Sequence, residues 1–542
     1  MTQRESIEMS ALEAILEQAR SKPLSDEQHR QLHAAITTLA IVTEELEKKR
    51  TSIRRLRHVL FGPGSEKRQR VLKGKPQDNQ KSGNAKGKAH RGKGSKGHGR
   101  NGANAYTGAD RIALKHDALN AGDACPETGC TGKLYRTKEP GTIVRIKGLP
   151  PLPATVYELE KLRCHLCGTV FTAKAPAGVG EDKFDETAAS MIGLLRYGAG
   201  FPFKRLETLQ DHLGIPLPAS TQWETVEKAA LKLEPAFEAL IDQAAQGEVL
   251  HNDDTPMKIL ELMKENESKT QPPDRTGMFT SGILSRRGDH LISLFFTGRR
   301  HAGENLERVL KKRAEALDAP IQMCDGLSRN LPGTLKTILA NCLAHGRRRF
   351  VEVVDNFPEQ CEYILTALGE VYRIDATARK QKLSPQARLE LHQCQSAPVM
   401  DELKKWFDDQ IENKTVEPNS GLGEAISYMQ KRWGKLTLFL REPGAPLDNN
   451  LAERALKKAI LHRKGSLFYK TQNGARVGDI YMSLIHTAEL ANINPFDYLC
   501  ELQRHASDVA ANPDQWMPWN YAETRAKLAK EKLEPRNQHA SE

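Results

Sequence analysis

Long apolar runs are missing from this 542-residue chain. The cleanest stretch, Leu291–Phe296, already contains Ser293 and is far too short to span a bilayer, so no membrane association is expected. Met1–Glu17 carries acids and has no apolar core, so no signal peptide is expected. Cysteine is scarce: there are nine, an odd number, and only four are spaced in pairs. That excludes a disulfide framework and points to a reducing cytoplasm with thiols available to metal. Acids are thin in two places. Residues 66–104 hold twelve Lys or Arg against Glu66 and Asp78, and between Asp448 and Asp479 the one acid is Glu453.

What is present fits a soluble multidomain chain. The length exceeds one core, so three or more units are expected. Hydrophobic residues make up 39% and charged residues 27%, while the net charge of +11 and pI of about 9.0 imply an anionic partner, most simply DNA. Leu32, Leu39, Leu46, Ile53 and Leu60 recur every seven residues with charges between them. Residues 1–62 therefore read as a helical coiled-coil segment that makes at least a homodimer. The same pattern would also serve an amphipathic helix docked on its own chain. Residues 63–105 read as a disordered basic tether or solubilising linker.

Residues 106–180 hold Cys125, Cys130, Cys164 and Cys167 in knuckle-like surroundings, with His165 as a rival ligand. Glycine follows closely on the second cysteine of each pair, and Thr142–Ile146 and Thr155–Glu160 read as strands. This is a zinc-ribbon-like layout, and four thiolates would close the coordination of a structural Zn²⁺. In residues 181–245 one helix, Phe203–Leu213, is broken by Gly214 and the prolines that follow. A second, capped by Ser220 or Thr221, runs to about Leu233. That is helix-turn-helix-like, for DNA contact or for packing.

Residues 246–500 carry the chemistry. Strands are expected over Glu248–Leu262, Met278–Ser285 and His290–Thr297, then a helix over Ala302–Leu317, then a short strand ending in Asp325-Gly326. If the first and fourth strands are adjacent, Asp253 and Asp325 lie side by side. Two close carboxylates repel unless a divalent cation sits between them. A third from a later helix would complete an oxygen-rich site for two Mg²⁺ ions, with Mn²⁺ as a substitute. Glu453 is that candidate, although its spacing also suits a surface pair with Lys457. Strand order and residue type together describe a ribonuclease-H-like α/β domain. The mostly helical interval 346–440 is its insertion, with helices expected over Leu343–Val354, Glu359–Ala378, Pro385–His392, Met400–Ile411 and Leu422–Trp433. Cys342 and His345 are spaced like a metal pair but read as a buried polar contact. Residues 501–542 form a C-terminal tail, and the whole is a multidomain α+β chain.

The chain resembles transposases of the insertion sequence 66 family, of the DDE class. The resemblance rests on Phe61-Gly62 with Ser65-Glu66-Lys67, Gly97–Arg100, the four cysteines, Asp253–Pro256, Cys324-Asp325-Gly326, Cys342–Phe350, Asp448–Ala455, Arg463-Lys464, Asn494–Leu499 and Met517–Tyr521. It departs from the family pattern at Asp254, where Glu is common, at Leu327–Arg329 and at Gly465-Ser466. The resemblance implies that Asp253, Asp325 and Glu453 are the catalytic metal ligands. It implies cleavage at transposon ends, strand transfer into target DNA, a nucleoid-associated bacterial protein, and small accessory proteins of the same element as partners. Arg347, Arg348, Arg454, Lys457, Lys458, Arg463 and Lys464 are candidate DNA contacts. The competing readings are a ribonuclease-H-like nuclease without strand transfer, and a DNA-binding regulator with an inactive catalytic fold.

Overall fold

In the computed structural model, residues 182–268 and 274–533 are described in full, with parts of 111–178 and a few positions within 23–29. The expected coiled coil, the basic tether and the four cysteines lie outside the described residues. No helix among the described residues is long and apolar enough to cross a membrane.

The chain forms two compact units. One is built from residues 248–253 and 315–452, the other from described residues of 111–247, 254–314 and 453–533. Strands β3 (Val249–Pro256), β4 (Phe279–Arg287), β5 (His290–Gly298), β6 (Ile321–Cys324) and β7 (Ile338–Asn341) form a mixed sheet in the order β5-β4-β3-β6-β7. The division between units falls inside β3, between Asp253 and Asp254.

In the first unit β3, β6 and β7 run parallel and are buried on both faces, one by Val249, Ile321, Met323 and Ala340 and the other by Leu250, Gln322, Cys324 and Asn341. Four helices enclose this unit's core: α6 (Leu343–Val353), α7 (Pro358–Lys380), α8 (Pro385–Glu412) and α9 (Gly421–Leu436). Their buried faces meet through stacked Phe350 and Phe407. Ser384 and Ser420 cap α8 and α9 by accepting from Ala387 N (3.2 Å) and Gly423 N (3.1 Å). Helix α8 is one 28-residue helix where two were expected, and Pro398 lies inside it. Both Pro398 and Cys394, whose carbonyl forgoes its helical bond, are exposed, so water can satisfy the break.

The second unit holds helices α1 (Glu186–Gly193), α2 (Phe203–His212), α3 (Ala219–Ala245), α4 (Leu260–Asn266) and α5 (Ala302–Leu310). With them are α10 (Asn450–Ser466) from Glu453 onward, α11 (Gln472–Leu490), α12 (Pro495–Arg504), α13 (Ala506–Ala511) and α14 (Tyr521–Leu533). The turn between α2 and α3 is present, with Gly214 at φ +73°. Yet α3 runs to Ala245, well past Leu233, because Phe237, Leu240, Ile241 and Ala244 bury its second half. Neither Ser220 nor Thr221 caps it; Pro218 precedes its first turn. The strand expected to fill Glu248–Leu262 ends at Pro256, and α4 follows. The helix expected to reach Leu317 stops at Leu310.

Strands β4 and β5 form a nine-pair antiparallel hairpin. The outer edge of β5 is sealed by side chains one turn apart on α11. Thr297 N donates to Asp479 (2.7 Å), Phe295 N to Ser483 (2.9 Å) and Ser293 N to Thr487 (3.1 Å). An unpaired edge is thereby covered.

Near the cysteines the described arms are hairpins. Ala124 bridges Lys133 across Cys125–Cys130, and β1 (Lys161–Arg163) pairs with β2 (Val170–Thr172) across Cys164–Cys167. The strand expected at Thr155–Glu160 is absent. Those residues, Val156, Tyr157 and Leu159 among them, are exposed and pair with no strand among the described residues, and the pairing begins at Lys161.

Candidate active site

In the first unit, β3 and β6 pair with a constant offset: Val249 faces Ile321, Leu250 faces Gln322 and His251 faces Met323. Extended two residues beyond the last pair, the same offset brings Asp253 of β3 opposite Asp325, which directly follows β6. Burial pushes the Cys324 thiol up to about 12, and the carboxylates of Asp325 and Asp253 add to that push, so both negative charges bear on one point. The sequence expectation that the first and fourth strands are neighbours is met.

A buried amide network lies behind these acids. Asn252 donates to Asn330 O (2.7 Å), and Gln322 donates to Asn252 Oδ1 (3.0 Å) and Asn330 O (2.7 Å). Asn330 Nδ2 donates to Asp325 Oδ1, and Leu327 N donates weakly to the same atom (3.3 Å). Both bonds fall on Oδ1, so Oδ2 is engaged by neither. Gly326 turns the chain at φ +78°, where a side chain would be strained.

Asn449 ties the start of α10 to this strand. Its Nδ2 donates to Asn252 O (3.1 Å), its Oδ1 lies 3.1 Å from His251 Nδ1, and its backbone N donates to Cys342 Sγ (3.2 Å). Glu453 follows one helical turn later in the same helix. Cys342 is a buried acceptor here. His345, Arg347 and Arg348 lie half-buried on α6.

In the second unit Asp254 has a different role. Its side chain is 1% exposed. It accepts from Ser281 Oγ (2.8 Å) and lies 2.9 Å from His301 Nδ1, with Asn305 donating onward to Ser281. The basic candidates on α10 also divide. Lys458 is held by Glu489 (2.7 Å), and Arg463 donates to Thr255 Oγ1 (3.0 Å) and Pro256 O. Arg454, Lys457 and Lys464 are exposed. His462 is buried and stacked between Tyr197 and Tyr469, and burial holds it down near 3, hence neutral.

Sequence reasoning missed Asn449, Asn252, Gln322 and Asn330. Their one visible signal is uncharged amides inside otherwise apolar strands or beside motif acids, a pattern that is costly unless the amides are bonded.

A five-stranded mixed sheet with helices packed against it makes this an α/β protein, and Asp253 and Asp325 lie toward the carboxyl ends of β3 and β6, where open sheets of this kind bind their ligands. A family model described as Transposase IS66 family matches residues 183–477, and the chain belongs to that family. The uncharacterized protein y4jD of Sinorhizobium fredii (strain NBRC 101917 / NGR234) is similar, 26% identical over 419 residues, which is 72% of this chain and 77% of that protein. The uncharacterized protein y4hP of the same strain is 27% identical over 394 residues, 68% of each chain.

Proposed function

We propose that this transposase cuts DNA at transposon ends and joins the freed ends to target DNA, by metal-dependent chemistry at Asp253, Asp325 and Glu453. What supports the reading is the parallel β3-β6 register, which when extended two residues brings Asp253 opposite Asp325 just past β6, with Asn449 fastening the start of the Glu453 helix to β3. The donor set is all carboxylate oxygen, which suits Mg²⁺ or Mn²⁺ and not a soft metal. When bound, two such ions activate the attacking oxygen and neutralise the departing one. The protein's own part is positional. Asn330 and Leu327 N fix the Asp325 carboxyl, and the amide network holds β3 and β6 in register behind it. The attacking group is water in cleavage and the 3′-hydroxyl in joining.

Arg347, Arg348, Arg454, Lys457 and Lys464 are the cations we assign to DNA. Lys458 and Arg463 join them only by leaving Glu489 and Thr255. The hairpin arms around Cys125–Cys130 and Cys164–Cys167 favour a structural Zn²⁺ on the four thiolates. A homo-oligomer built by the N-terminal heptads, aided by small accessory proteins, completes the reading.

The test is cleavage and strand transfer of labelled end fragments with Mg²⁺. Asp325→Asn and Glu453→Gln should abolish both steps while DNA binding persists. Retained cleavage in Glu453→Gln overturns the assignment. Cleavage without joining of a precut end favours a nuclease, and binding without any nicking favours a regulator.

A further inference from the structure

Helix α9 carries Tyr428, Lys431, Arg432 and Lys435 at spacings of three, four and seven, hence on one face. Three of these line a cavity of about 320 Å³ together with Gly326, Ser328 and Asn341. All belong to the first unit. No carboxylate lines this cavity, and none of the three cations forms an ion pair with a described residue. Arg432 is held in place by lying 4.3 Å from the Tyr428 ring centroid, and Arg349 lies 4.2 Å from the same ring. Gathering like charges without a counter-charge is unfavourable unless an anion visits the site.

The cavity also adjoins the second acid. A Cβ at Gly326 would stand 3.2 Å from the amide of buried Asn341 and 3.3 Å from Arg432 Nε, so the Asp325-Gly326 turn packs directly against the cationic wall. A polyanion lying here would be gripped within one residue of Asp325.

We propose that Lys431, Arg432 and Lys435, with the Asn341 amide, form a pocket for one backbone phosphate of the bound DNA strand, and so set which phosphodiester meets Asp325. The proposal deepens the functional reading above and rests on its nucleic-acid substrate. These are positioning residues, since they hold the strand and do not touch the reacting atoms.

The experiment compares full-length wild type, Lys431→Gln/Arg432→Gln/Lys435→Gln, and a control of equal charge loss on exposed lysines elsewhere in this unit, Lys380→Gln/Lys404→Gln/Lys405→Gln. Affinity for end-fragment duplex is measured in EDTA across a salt series, and cut positions are mapped with Mg²⁺. The pocket variant should lose about tenfold more affinity than the control, its log–log salt slope should shrink by about 1, and its cuts should spread over neighbouring phosphates. Arg432→Lys, which keeps the charge, should restore most of the affinity. Identical slopes and cut positions in the pocket and control variants overturn the proposal, as does absence of salt-sensitive DNA binding in wild type. Wild-type binding without any Mg²⁺-dependent cutting would sink the catalytic reading alone, and the slope would still decide the pocket. Should the triple variant misfold, Lys435→Gln, a change at an exposed side chain, is judged by the same slope and cut map.

Discussion

The parallel half of the sheet, β3-β6-β7, and the antiparallel half, β4-β5, both carry polar side chains in or beside the core, and they use them differently. In the antiparallel half the polar groups are closed upon one another. Asp254 is taken by Ser281 and His301, and Asp479 by both the N–H and the hydroxyl of Thr297. In the parallel half the amides bond among themselves and to Thr337, and the acids are partly exposed, with Asp325 bonded through one oxygen alone. Burial and charge by themselves therefore do not identify a site. What separates Asp325 from Asp254 is how far the carboxylate's bonding capacity is already met inside the fold: one oxygen of Asp325 is bonded, and both oxygens of Asp254 are.

The largest expected effect breaks that contrast directly. Asp325→Asn should remove cleavage with little change in thermal stability, since the amide keeps an oxygen for Asn330 and Leu327 N. Asp254→Asn should cost about 1–3 kcal/mol of stability, because the amide keeps one acceptor oxygen and so either Ser281 or His301 loses its own, while folded enzyme still cuts. Denaturant melts beside cleavage assays read both, and a stable, inactive Asp254→Asn would invert the assignment. Next in size is Asn449→Ala. Loss of its bond to Asn252 O should lower cleavage about 10- to 100-fold with DNA affinity retained, as removal of an orienting partner does. Unaltered turnover would show that α10 needs no such fastening.

The smallest effect concerns pH. Burial raises Asp479 to about 8 from 3.8, and the bonds from Thr297 and the charges of Arg476 and Arg308 pull it only partly back. The folded state thus keeps a proton that the unfolded chain releases between about pH 4 and pH 8, so stability falls as pH rises through that window. Asp479→Asn cannot ionise and should flatten the fall. Melting temperatures of both proteins near pH 5 and near pH 8 check this, and parallel curves would rule Asp479 out as the source.

The strand order, the neighbouring acids and most helices were legible because they rest on local periodicity and on residue types with few other uses. Helix ends were less so. Helix α3 outruns its expected stop at Leu233 because tertiary burial of Phe237 and Leu240 overrides the weak break at Pro235. Helix α8 survives Pro398 because that side faces water. Thr155–Glu160 has strand-forming residues but no sheet to join. The amide network is invisible in sequence, since Asn252, Gln322 and Asn330 gain meaning only when strands 70 residues apart are laid together. For the same reason Lys458 and Arg463 looked equivalent to Arg454 until their partners on α11 and β3 were in view.

One consequence follows from the α11 seal on β5. The outward amides of Ser293, Phe295 and Thr297 already have acceptors within the fold, so this side of the sheet offers no template for a strand from another copy. Any contact that another copy makes at this edge is limited to side chains, because no ladder can be extended from β5 while α11 is seated on it.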